Sequence, residues 1–139
     1  MALNTQLANA TANTGANAEA ALFNGGFLDI YDGAQPATAD TAIGAQVKLV
    51  RLTFSSPAFA PAATGVLIAN PITQGIASAT GTAGWYRVLK ADGTTVIADG
   101  SVGTTSSFNI QLPTVVIAAG VTVSISSYVH TVAKAAAGF

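Results

Sequence analysis

No cysteine occurs anywhere in the sequence, which excludes disulfide staples, thiolate metal ligands and a cysteine nucleophile, and leaves the redox compartment open. Charge is scarce as well. Charged residues make up 8% of the chain, against roughly 25% in ordinary soluble domains. The net charge is -1, and the five basic residues, Lys48, Arg51, Arg87, Lys90 and Lys134, form no cluster beyond pairs. A nucleic-acid surface needs far more phosphate-neutralising charge, so no nucleic-acid partner is expected. Long apolar runs are missing too. The longest, Val115 to Ile125, is broken by Gly120, Thr122 and Ser124 and falls short of the roughly 20 residues that a spanning helix needs. No membrane partner is expected. Met1 to Gly26 has neither a basic n-region nor a compact block of large apolar side chains, so it does not read as a cleaved signal peptide, and synthesis in the cytoplasm is the expectation.

What is present is hydrophobic. Half the residues belong to the hydrophobic class and the mean hydropathy is +0.52. With little charge to keep it dissolved and no membrane segment, the chain reads as a subunit that hides much of its surface in a larger assembly. A single domain is expected, since 139 residues suffice to bury about 68% of the unfolded-chain surface.

Site chemistry is sparse. His130 is the only histidine, with no Gly-x-Ser-x-Gly elbow beside it and no second ligand at i+2, so it reads as a surface or interface residue. The six acids are Glu19, Asp29, Asp32, Asp40, Asp92 and Asp99. Three of them precede glycine, where turn hydrogen bonding accounts for an aspartate. Asp29 and Asp32 lack the spacing of a calcium loop, and Gly25-Gly26 and Gly81 to Gly84 lack the Gly-Lys-Ser/Thr of a phosphate loop. No catalytic residue, metal or cofactor is expected, and the protein is read as a non-enzyme. Trp85-Tyr86-Arg87 carries the materials of a stacking platform, but adjacent strand residues point to opposite faces. Core packing, with Arg87 reaching a carboxylate, is the expectation.

The clearest local structure is Gly84 to Gly103. Trp85 to Leu89 favour a pleated surface, Ala91-Asp92-Gly93 supplies a turn, Val96 and Ile97 begin a return strand, and Asp99-Gly100 is expected to stop it. Other strands are expected at Phe27 to Tyr31, Val47 to Phe54, Val66 to Ala69 and Ser107 to Leu112, with a last pair formed by Thr114 to Ile117 and Val121 to Val132. In the second of these, Lys48 and Arg51 fall on opposite faces. Phe108, Ile110 and Leu112 are expected inward, and Val121, Val123 and Ile125 share one face. A helix is expected from about Ala16 to Phe23, stopped by Asn24-Gly25-Gly26, while Gly15 and repeated asparagines weaken it upstream. Gly33 to Ala45 reads as a loop, and Pro57 and Pro61 mark another across a sheet edge.

About eight short strands without intervening helices point to an all-β fold, an antiparallel, jelly-roll-like β-sandwich with an N-terminal arm or short helix. The boundaries drawn are 1–25 for the arm, 26–133 for the sandwich and 134–139 for a tail. The arm is expected to be dispensable for folding and to reach a neighbouring subunit. Candidate contact residues are Leu3, Leu7, Leu22, Phe23, Phe59 and Phe139.

The segments GGFLDIYDGAQPATADTAI, VKLVRLTFSSPAF, GWYRVLKADGTTVIADGSVGT and IAAGVTVSISSYVHTV span most of residues 25 to 132. They resemble small virion structural proteins of tailed bacteriophages, most of all capsid cement or decoration proteins. That resemblance implies a module on the outside of the capsid that bridges neighbouring major capsid subunits. Its partner would be the major capsid protein, its state on the shell a dimer or trimer, and its location the virion after synthesis in the host cytoplasm. A tail, neck or baseplate subunit would share this composition, and carbohydrate-binding β-sandwich modules have a similar size.

Overall fold

A computed structural model describes residues 5–125 and 128–131. The protein is mostly β with one helix. Helix α1 spans Asn9–Phe23, and ten strands follow: β1 (Phe27–Asp32), β2 (Lys48–Thr53), β3 (Val66–Ile68), β4 (Gly75–Ile76), β5 (Gly81–Leu89), β6 (Val96–Gly103), β7 (Ile110–Gln111), β8 (Val116–Ile117), β9 (Thr122–Val123) and β10 (Val129–Thr131). The main sheet runs β2-β1-β5-β6-β7, with β8 on the first residues of β5, and β3–β10 and β4–β9 form two small antiparallel pairs.

The Gly84 to Gly103 hairpin lies at the centre of this sheet. Trp85 pairs with Ser101 and Arg87 with Asp99. The turn forms where the sequence places it: Gly93 has φ +75° and the Asp92 carboxylate accepts from the backbone N–H groups of Thr94 and Thr95. The stop at Asp99-Gly100 does not occur, because β6 continues through both residues to Gly103. Gly100 sits opposite Tyr86, and a Cβ there would fall inside the tyrosine ring. The glycine makes room for an aromatic neighbour, which is the strand use of glycine and not the turn use.

On one face of the sheet Leu28, Ile30, Val50, Leu52, Tyr86 and Val88 enter the hydrophobic core. The opposite face carries Asp29, Tyr31, Arg51, Trp85 and Arg87, as the pairing of Asp29 with both Arg51 and Arg87 requires. Strict alternation in β2 would send Lys48 to the core side. A register shift between Ile30 and Tyr31 instead pairs Lys48 with Tyr31, and its ammonium comes within 3.6 Å of Asp29. A bulge therefore gathers both cations of β2 on one carboxylate while Leu49 turns inward.

Three expectations are corrected. The sheet is mixed, since β7 runs parallel to β6, with Val102 opposite Ile110. Parallel neighbours ordinarily need a crossover of a dozen or more residues. Here six suffice, because the ladder is two residues long and the Asn109 side chain accepts from the N–H and hydroxyl of Ser101, doubling the chain back beside β6. The segments Thr114 to Ile117 and Val121 to Val132 do not pair with each other. They splay, β8 to β5, β9 to β4 and β10 to β3. Finally, helix α1 and the described strands share one core. Phe23 is fully buried, with ring centroids 5.5 Å from Phe54 and 5.0 Å from Phe59, so α1 is a part of the domain and not an appendage.

Helix α1 begins earlier than its composition suggests, and its asparagines explain why. Asn13, Asn17 and Asn24 accept from the backbone N–H groups of Gly65, Ala62 and Ala58. Asn13 and Asn17, four apart, share a face. The proline-rich segment 57–65 has few strand partners, and these side chains satisfy donors that would otherwise be left unpaired. The expected stop holds: Gly25 has φ +65° and the Gly26 N–H returns to the Phe23 carbonyl at 2.8 Å.

Candidate functional site

Two regions gather the residues that could serve a ligand or partner. The first is the polar face of the main sheet. The Arg51 guanidinium meets the Asp29 carboxylate through two bonds of 2.7 and 2.9 Å, and lies 4.4 Å over the Phe27 ring. Arg87 binds Asp99 in the same forked manner, with both side chains almost wholly buried. Its Nη2 also donates to the Thr41 carbonyl at 2.8 Å. The hydrogen bonds to Asp29 and Asp99 hold both guanidinium groups above their ordinary pKa. Trp85 stacks on Tyr31 with centroids 4.7 Å apart and planes 15° off parallel. Its indole N–H donates to the Asp32 carbonyl.

Every element of this layer is spoken for. Among the described residues, no buried side-chain nitrogen or oxygen lacks a partner. Segment 33–46 is tied to the face by the Arg87 bond to Thr41, and within the segment Gln46 donates to the Ala34 carbonyl and accepts from the Gly44 N–H. Trp85 has no exposed surface and Tyr31 very little, so neither ring is open to a ligand. A depression of about 610 Å3 lies along the segment, lined by Asp32, Pro36, Thr41 and Gln46 among others.

His130 has a similar fate. Its Nε2 lies 2.5 Å from the Glu19 carboxylate, so the single histidine joins β10 to α1, with its ring 5.6 Å from Phe23. Nearby, Tyr86 and Tyr128 share a hydroxyl contact of 3.4 Å, and burial raises the pKa of both phenols. Among the described residues no three His, Asp or Glu side chains come together as metal ligands would.

The second region is open, and it sets exposed apolar side chains beside the polar Thr104, Ser106, Asn109 and Gln111. Val129 of β10 pairs with Ile68 of β3, and both side chains are more than half exposed. Val129 also lines a groove of about 600 Å3 with Phe108, Asn109, Gln111, Leu112 and Pro113. Leu112 and Pro113 continue into a second cleft of about 150 Å3, formed where β8 and β9 splay apart and lined by Val116 and Val121. Among the described residues no charged side chain lines either. Phe108, Val116, Val121 and Val129 thus edge two adjoining depressions with large exposed side chains, and Ile68 lies beside Val129.

The contact residues expected from the sequence are scattered. Phe23 and Phe59 are buried in the protein's own aromatic cluster, together with Phe54 and Tyr128, so their rings have no face for a partner. Leu7 and Leu22 are exposed, at 38% and 42%. Leu3 and Phe139 lie outside the described residues. The apolar surface was hidden by the period-2 pattern. Phe108, expected inward, and Val121, expected to share a face with the buried Val123 and Ile125, both face out, because strands β7 and β9 are only two residues long and alternation does not extend to their flanks. The run Thr104-Thr105-Ser106-Ser107 before Phe108 is the signal for a turn there, and the Phe108 N–H does return to the Thr105 carbonyl.

No protein-family model, curated protein or solved structure matches the chain.

Proposed function

We propose that the protein is a non-enzymatic structural protein of a tailed-phage virion, which binds the outside of the capsid and cements neighbouring major capsid subunits. In its finer form the proposal includes a jelly-roll-like sandwich fold and a dimer or trimer on the shell. The observation that carries it is the exposure of the large apolar side chains Ile68, Phe108, Val116, Val121 and Val129. Monomeric proteins rarely leave such patches uncovered, and large exposed ones mark sites of association. An uncharged, aliphatic-rich surface gains its affinity from burial, not from steering, and so suits a partner held in place by repetition. On a symmetric shell many modest contacts add through avidity.

The segments that carry the resemblance support the same reading. They supply the central strands β1, β2, β5 and β6, which would be the scaffold from which the apolar surface is displayed. A carbohydrate-binding role has less support, since sugar recognition uses exposed aromatic faces, and Tyr31, Trp85, Tyr86 and Tyr128 are all buried, which leaves Phe108 as the one aromatic ring in the groove.

Imaging labelled protein on purified particles tests the proposal. Density at regular positions on the outer shell is expected. Density confined to the tail, neck or baseplate would replace the cement reading with that alternative, and no density on the particle would refute both.

A further inference from the structure

We propose that the first three turns of α1, residues 9–20, form a strap that unlatches from the body while Phe23 remains in the core. The inference is independent of whether the protein decorates a capsid.

The helix has little reason to exist on its own. Its N-terminus has no side-chain cap and no acid in the first turn. Its interior carries Gly15, two asparagines and two threonines, and the Thr14 hydroxyl bonds back to the Ala10 carbonyl at 3.0 Å. Each of these lowers helix propensity. Docking must therefore hold it, and the docking is slight. From Asn9 to Leu22 only Ala12 and Ala16 are fully buried, and each contributes a single methyl group. The polar attachments include Asn13 to Gly65, Asn17 to Ala62 and Glu19 to His130, and Asn9 is held as well. The first three are side-chain contacts on exposed or partly buried groups.

The attachment changes character at Phe23. That ring is surrounded by Phe54, Phe59, Tyr128 and His130. Beyond it Asn24 holds Ala58, the Gly25 N–H donates to the Ser55 carbonyl, and the Phe54 N–H donates to the Gly26 carbonyl. An opening that begins at the N-terminus is therefore arrested there. Release of 9–20 uncovers the backbone N–H groups of Ala62 and Gly65, two donors one helical turn apart as α1 reads them, and leaves the aromatic cluster closed. The conformational device is thus a weakly held helix over a pair of backbone donors, hinged at a strongly held aromatic.

Hydrogen exchange of the full chain, read by mass spectrometry or NMR at low urea, tests this. Amides of residues 13–20 are expected to exchange roughly 100-fold or more faster than those of β1 and β5, through an opening nearly insensitive to urea. Gly15→Ala places a methyl group where nothing lies within 4 Å, and is expected to slow that exchange about fivefold. Asn13→Ala combined with Asn17→Ala is expected to accelerate it by roughly tenfold or more. Exchange of 13–20 at the same rate and with the same urea dependence as β5 would overturn the strap, as would a Gly15→Ala chain whose helix exchanges no more slowly.

Discussion

Phe23 shows how much one residue carries in a protein with so few charges. Its ring makes edge contacts with Phe54 and Phe59, and no other large side chain of α1 is buried. Phe23→Ala should cost about 3–5 kcal/mol, because it removes the ring and leaves a cavity among aromatic neighbours. Leu22→Ala, one position away and exposed, should stay within about 0.5 kcal/mol. Urea unfolding of the two variants checks the contrast. At the hairpin tip, the Thr95 hydroxyl and then the Thr95 and Thr94 backbone N–H groups hold the Asp92 carboxyl well below the usual carboxylate range. A depressed folded pKa stabilises the fold above the unfolded pKa of about 4, and the stabilisation is lost as pH falls through the folded value. Unfolding of the protein and its Asp92→Asn variant should therefore differ most at neutral pH and converge in strong acid. A gap that is constant with pH would contradict the turn's role. At this scale the sequence was a good guide wherever chemistry is local. Asp92-Gly93 is the turn its composition announces, whereas the same dipeptide at Asp99-Gly100 runs through a strand, because its meaning is set by Tyr86 across the sheet and by Arg87 seeking a carboxylate.

The elements repeat that lesson. Strands β1, β2, β5 and β6 were legible because each is six or more residues long and pairs with neighbours of similar pattern. Strands β4, β7, β8 and β9 are two residues each, too short for periodicity to set their pairing, and the partners of all but β7 lie far away in sequence. Helix α1 was half legible. Its C-terminal stop is local chemistry, but its asparagines read as helix weakeners until segment 57–65 is seen to depend on them. The consequence is a prediction opposite to the one that an arm would suggest. Deleting residues 1–24 should not leave a well-packed domain, since it removes Phe23 and bares Phe54, Phe59 and Tyr128. Circular dichroism and dye binding by exposed apolar surface would show a loss of cooperative unfolding in the truncated chain. A deletion that unfolds cooperatively at the original midpoint would return α1 to the status of an appendage.

Across the whole molecule, charge and apolar surface are segregated. Lys48, Arg51, Arg87, Asp29 and Asp99 spend themselves on one face of the main sheet, where Arg87 also holds segment 33–46 through Thr41. Phe108, Val116, Val121 and Val129 line clefts that no charged side chain enters among the described residues, and Ile68 is exposed beside Val129. Low charge and high hydropathy pointed to assembly, but which side chains would face a partner depended on short strands and turns that the sequence pattern does not resolve. The central claim is that this surface seats on a capsid, and co-sedimentation with empty shells measures it directly. Wild-type protein should saturate the shells at a fixed ratio, while Phe108→Asp combined with Val129→Asp, both exposed positions, should keep its own fold and lose at least roughly tenfold in affinity. Full occupancy by the doubly substituted protein, or no binding by the wild type, would contradict the account.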